Sequence, residues 1–133
     1  VILLRPFELQ DWIDIDAAEP FCPKLPTDEF SAAVQNGFGV TAVQNNKIIA
    51  CGGLVFAPEP IVWLKVSKDC HSVFVAKTII DVAGIMRETV DMPIYTYILE
   101  GFKKSEKLAR LAGFKKTGKK FEYENRFYHE YVL

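Results

Sequence analysis

A chain of 133 residues with 50% hydrophobic and 25% charged side chains is long enough to bury a core without staples. No apolar run approaches the roughly 18–20 residues of a membrane-crossing helix, and Arg5 with the acidic residues after it stands too early for a secretory leader. Cys22, Cys51 and Cys70 are odd in number and far apart, without a CxxC or a histidine pair. They argue against a disulfide framework and a metal site, and a reducing, cytoplasmic setting is expected.

The net charge of −1 hides a strong asymmetry. Residues 1–37 hold seven acidic side chains against Arg5 and Lys24, whereas residues 103–120 hold eight basic ones against Glu106. Half of the basic side chains therefore lie in one short segment, as a solvated face or as a surface for phosphates. Trp and Tyr do not alternate with these lysines, so no stacking platform for nucleic acid is signalled.

In chain order, VILLRPF reads as a strand and ELQDWIDIDA as a helix with Leu9, Trp12, Ile13 and Ile15 apolar. PFCPKLP is excluded from regular helix by its three prolines. TDEFSAAVQNG carries helix signals at both ends: Thr27 as cap, Asp28 and Glu29 in the first turn, Gly37 as stop. FGVTAVQNNKIIACGGLVF reads as a hairpin turning at Asn45-Asn46, since asparagine tolerates positive φ.

APEP breaks the chain before the strand IVWLKVS. A polar turn then leads into the helix SVFVAKTIIDVAGIMRETV, with Ala76, Ile79 or Ile80, Ala83 and Met86 or Arg87 at helical spacing. IYTYILE is a strand, and KSEKLARLAGF is a short helix capped by Ser105 and stopped by Gly113. FKKTGKKFEYE and RFYHEYVL are strands about an ENR turn. The order β-α-α-β-β-β-α-β-α-β-β predicts one α/β (α+β) domain over residues 1–133, with a mixed, mainly antiparallel sheet flanked by helices on both faces.

That order, with LLRPFELQDWIDI, NNKIIACGGLVF, LKVSKDCHSVFVAKTI and SEKLARLAGFKKTGKKFEYENRFYHEYVL in sequence, resembles the GNAT superfamily of acyl-CoA-dependent N-acyltransferases across nearly the whole chain. The lysine-rich tail is similar to that of small phage members. The resemblance implies acetyl-CoA as cofactor, an amine acceptor, either small molecule or protein, and either a homodimer or another protein partner.

Laid on this chain, the superfamily's pyrophosphate loop R/Q-x-x-G-x-G/A puts His71 at the basic position, Ser72 and Phe74 at glycines and Ala76 at the last small position. The implied cofactor contacts are Leu64 and Val66 on the preceding strand, His71, Ser72, Val73, Phe74, Val75 and Ala76 in the loop, and Lys104 and Ser105 in the next helix. A helix N-terminus binds anions through N–H groups and its dipole, so glycine is replaceable if bulky side chains point away. Ala109 stands where many members carry a thiolate-protonating tyrosine, and Phe102 where an asparagine is common.

Transfer needs a base for the amine, a donor for the thioester carbonyl and an acid for the thiolate. Glu59, acting through water, is the candidate base, with an ordinary loop carboxylate as the alternative. Tyr97, on one strand face with Tyr95, is the candidate hydroxyl, with a packing tyrosine as the alternative. His71 and His129 are weighed against a turn and a packed strand histidine, and Cys51 and Cys70 against idle thiols. The sequence thus points to an acetyl-CoA-dependent N-acetyltransferase, or to a catalytically inactive binding or structural protein of the same fold with a degenerate cofactor loop.

Overall fold

The computed structural model describes residues 1–17 and 26–133, so most of the PFCPKLP segment lies outside the described residues. The chain forms two compact units, Val1–His71 and Ser72–Leu133. Together they carry seven strands and four helices, an α/β class as expected.

The first unit holds β1 (Ile2–Pro6), α1 (Leu9–Asp14), α2 (Asp28–Ala33), β2 (Phe38–Gln44), β3 (Lys47–Phe56) and β4 (Pro60–Val66). The strands pair antiparallel in chain order, β1 with β2, β2 with β3 and β3 with β4. Asn45 and Asn46 both take positive φ, 53° and 61°, as the two-residue hairpin requires. α1 is shorter than expected: it stops at Asp14, and Ile15 is already extended and buried. Its start is fixed by a capping box between Glu8 and Asp11. Thr27 caps α2 through a bond from the Phe30 N–H at 3.1 Å.

Gly37 ends a 3-10 turn after α2 but not through a left-handed conformation, since its φ is −118°. A Cβ there would overlap the Leu54 carbonyl, so glycine serves close packing against β3. Gly39 lies beneath Phe7 and Trp63, whose ring centroids are 4.6 Å apart, and Trp12 and Phe30 complete an aromatic cluster. On the same side Arg5 forms a bidentate pair with buried Asp11, at 2.7 and 2.8 Å.

The second unit holds α3 (Val73–Thr89), β5 (Tyr95–Leu99), α4 (Lys103–Leu111), β6 (Lys115–Tyr123) and β7 (Arg126–Val132). β7 pairs antiparallel with β5 on one side and β6 on the other. The β6–β7 turn has Glu124 and Asn125 at φ 51° and 63°. α3 buries Val75, Ala83 and Met86, so its inward stripe begins at Val75 rather than at the expected Ala76. α4 begins at Lys103 with Phe102 as its uncapped N-cap. Ser105 is therefore inside the first turn, and the expectation that it caps the helix is overturned: the 102 carbonyl already accepts from the Glu106 N–H. Tyr131 is fully buried, and burial first, then Glu106, pushes its phenol up against a smaller opposing effect of Arg110.

Candidate functional site

β4 carries two of the expected cofactor contacts. The Ser67 N–H donates to the Ile49 carbonyl at 2.9 Å, and the register pairs Ala50 with Val66 and Gly52 with Leu64. Hydrogen-bonded and non-bonded pairs alternate along an antiparallel ladder, so Leu64 and Val66 occupy non-bonded positions whose N–H and C=O groups point away from β3. Two amides two residues apart on one strand edge form the geometry that binds an extended chain by strand-like hydrogen bonds.

Between these positions Lys65 is buried, its Nζ donating to the Trp12 carbonyl at 2.7 Å and lying 4.2 Å from the Trp12 ring centroid. Glu59 precedes β4 in an exposed bend, where its carbonyl accepts from the Ala57 N–H at 3.1 Å. The turn after β4 is tied to the end of α1: Lys68 N–H donates to the Asp16 carbonyl, and Ala17 bridges Ser67. Within it the Ser67 hydroxyl accepts from the Asp69 N–H at 3.2 Å. His71 is exposed, Cys70 half-buried and Cys51 buried, while Cys22 lies outside the described residues.

In the second unit Ser72 is the N-cap of α3 and accepts from the Val75 N–H at 3.3 Å, while the Ala76 N–H reaches the Ser72 carbonyl. The N–H groups of Val73 and Phe74, at the first two helical positions, have no intrahelical acceptor. Their side chains are 82% and 53% exposed. Phe74 is thus no core residue, contrary to the reading of this turn as a plain packing element. A side chain turned to solvent leaves the backbone open, so a helix N-terminus built from Ser72 to Ala76 fits an anionic group without glycine. Lys104 is exposed and Ser105 half-buried in the first turn of α4, and Ala109 is buried.

Tyr97 on β5 is opposite Glu130 on β7. Its hydroxyl donates to Glu130 Oε2 at 3.2 Å, and Thr117 on β6 donates to Oε1 at 2.9 Å. Phe121 packs edge-on against the Tyr97 ring at 5.7 Å. Glu130 is buried, and sequence reasoning passed it over; the signal was a carboxylate between two residues of an aromatic strand, directly across from the tyrosine already singled out. His129 meets Glu100 at 3.2 Å instead of merely packing, and Lys120 meets the same oxygen at 3.3 Å. The bond from His129, then that from Lys120, holds the exposed Glu100 carboxyl below the usual range.

No protein-family model and no curated protein sequence matches this chain. Solved structures do. An N-acetyltransferase from Staphylococcus aureus Mu50 matches with a TM-score of 0.72 at 13% identity, over 100% of this chain and 97% of that one. A GNAT-family acetyltransferase from Bacillus cereus ATCC 10987 gives 0.68 at 13%, over 100% and 96%. A GNAT-family acetyltransferase from Elizabethkingia anophelis, solved with acetyl-CoA bound, gives 0.63 at 14%, over 99% and 97%. At such identities the likeness establishes the fold, end to end. Among the described residues no helix is long and apolar enough to cross a membrane.

Proposed function

We propose that this chain, which has the fold of the GNAT acetyltransferases, transfers an acetyl group from acetyl-CoA to an amine. The observation that carries this reading is the pair of β4 amides, Leu64 and Val66, directed away from β3. On this reading they bind the amide-bearing arm of the cofactor. The Val73 and Phe74 N–H groups at the start of α3 take its pyrophosphate, with His71, Ser72, Val75 and Ala76 shaping the turn, and Lys104 and Ser105 lie along the next helix.

Acetyl-CoA supplies an activated thioester carbonyl. A β4 amide aimed at that oxygen stabilises the charge developing on it, the largest single electrostatic contribution in acyl transfer. Glu59, exposed and ahead of β4, serves as a base through water; Tyr97 supplies a hydroxyl. With Ala109 in place of a tyrosine on α4, the departing thiolate takes its proton from solvent. The acceptor is an amine of a small molecule or of a protein.

Calorimetric titration of the folded protein with acetyl-CoA tests the reading. Saturable binding is expected, together with a rise in melting temperature; a ligand selective for the folded state adds about 2.7 kcal/mol at about a hundredfold excess over Kd. A flat titration and an unmoved melting curve sink it and leave a binding protein of this fold.

A further inference from the structure

We propose that Tyr97, Glu130 and Thr117 form a recognition point for a primary amine and the exit route for its proton, an inference that rests on the acetyl-transfer reading for its catalytic half only. The cluster is built by a defect in β6. The register with β7 shifts between Lys116 and Lys120, placing extra residues opposite Glu130, and Gly118 takes φ +92° to allow it. A bulge of this kind re-aims a side chain and is common beside functional sites. Here it turns Thr117 so that its hydroxyl donates to Glu130 Oε1 while accepting from the Lys119 N–H.

The outcome is a carboxylate that is only 6% exposed, with one oxygen taken by Thr117 and the other by Tyr97. Tyr97 itself is 40% exposed. The buried negative charge therefore reaches solvent through a single hydroxyl, whose proton is committed inward and whose oxygen is left as an acceptor. An oxygen of that kind, backed by a carboxylate, selects an N–H donor with positive charge. Phe121 packs edge-on against the ring that carries it.

During transfer the amine nitrogen attacks the thioester carbon, forming the C–N bond, and the C–S bond breaks. The proton lost by the amine passes to the Tyr97 oxygen as the Tyr97 proton passes to Glu130. Thiolate is protonated by water, and Glu130 returns its proton to solvent through Tyr97. The titratable groups around Glu130 are Tyr97 on β5, Lys119 in the bulge of β6 and Tyr128 on its own strand.

Two measurements test this. The first does not depend on acetyl transfer: protein labelled with carbon-13 at the tyrosine Cζ is titrated with propylamine hydrochloride, the Tyr97 signal being assigned with Tyr97→Phe. The signal should move saturably with propylamine and not with propanol, and the movement should vanish in Glu130→Gln. Absence of movement in the natural protein, or the same movement in Glu130→Gln, overturns the amine site. Thr117→Val, which keeps the acid, should weaken the response without abolishing it, and it decides the matter if Glu130→Gln does not fold.

The second measures thiol release from acetyl-CoA with spermidine and with glucosamine as acceptors. Glu130→Gln and Tyr97→Phe should lower kcat/KM for the amine by about a hundredfold, with acetyl-CoA affinity unchanged and the acid limb of the pH profile lost. A variant with the natural pH profile overturns the relay. If the natural protein releases no thiol and binds no acetyl-CoA, the acetyl-transfer reading and the relay fall together, while the amine site still stands or falls on the first measurement.

Discussion

The Thr41 hydroxyl on β2 donates to Asp11 Oδ2 at 2.7 Å, joining residues thirty positions apart. The same carboxylate takes two bonds from Arg5 and one from the Glu8 N–H, so a single buried side chain ties β1, β2 and α1 together. Replacing Asp11 by Ala leaves the Thr41 hydroxyl and the Arg5 guanidinium without that acceptor, and the expected cost is about 3 kcal/mol by urea denaturation. Thr41→Val, which removes one donor and keeps the shape, should cost about 1 kcal/mol. Equal effects of the two changes would contradict the central role of the carboxylate.

Acid should expose the same network. Burial pushes the Asp11 carboxyl up, but bonds from Arg5, the Glu8 backbone and Thr41, with the Arg5 charge, outweigh it and hold it below its ordinary value of 3.8. The unfolded chain therefore binds the proton first, and stability rises with pH across that interval. The contribution is complete above pH 3.8 and is lost as pH falls through the lower folded value. Denaturation curves in this range should show a weaker acid dependence in Asp11→Asn than in the natural protein.

Gly53 tests the close approach of β2 and β3. A Cβ at this position would overlap the Phe38 carbonyl oxygen and lie 2.7 Å from the Gly39 Cα, both backbone atoms that cannot swing aside. Gly53→Ala should destabilise by at least about 1–3 kcal/mol. Gly84→Ala is the control, because nothing lies within 4 Å of its Cβ position and the site is helical; it should stabilise by up to about 1 kcal/mol.

Phe74 distinguishes a solvent-facing loop from a core turn. With its side chain 53% exposed, Phe74→Gly should cost about 1 kcal/mol of helix propensity, against the roughly 3–5 kcal/mol of a truncated core phenylalanine. Affinity for acetyl-CoA should be retained or improved, since the N–H groups remain. A large loss of stability would put Phe74 back in the interior.

The lysines of α4 supply a further check. Lys103 and Lys104 are exposed on the first turn of α4. If they meet cofactor phosphates, replacing both by Gln should lower acetyl-CoA affinity at low salt and reduce its salt dependence, because exposed charges are screened over about 10 Å at about 0.1 M salt. Unchanged affinity at two salt concentrations would assign them to a solvated face.

Local chemistry made much of this protein legible in its sequence. Asn45-Asn46 and the turn before Arg126 need positive φ, Thr27 and Ser72 are placed to cap, and the apolar alternation of IVWLKVS is strand-like; each signal lies within a few residues of its effect. The sequence also determined the order of elements, and with it the fold shared end to end with solved acetyltransferases. Ser105 misled because a serine near a helix start is a good cap only where the preceding backbone turns, and that turn came three residues earlier at Phe102.

Tertiary structure alone decided what pairs across the chain. Whether Phe74 faces solvent, whether Gly37 serves φ or close packing, and which carboxylate Tyr97 addresses depend on atoms far away in sequence. Glu130 became visible only when the β5–β7 register set it opposite Tyr97 and the bulge in β6 delivered Thr117. Side-chain period in a strand assigns a face, but a partner on that face is chosen by register, and one residue of slip exchanges every partner.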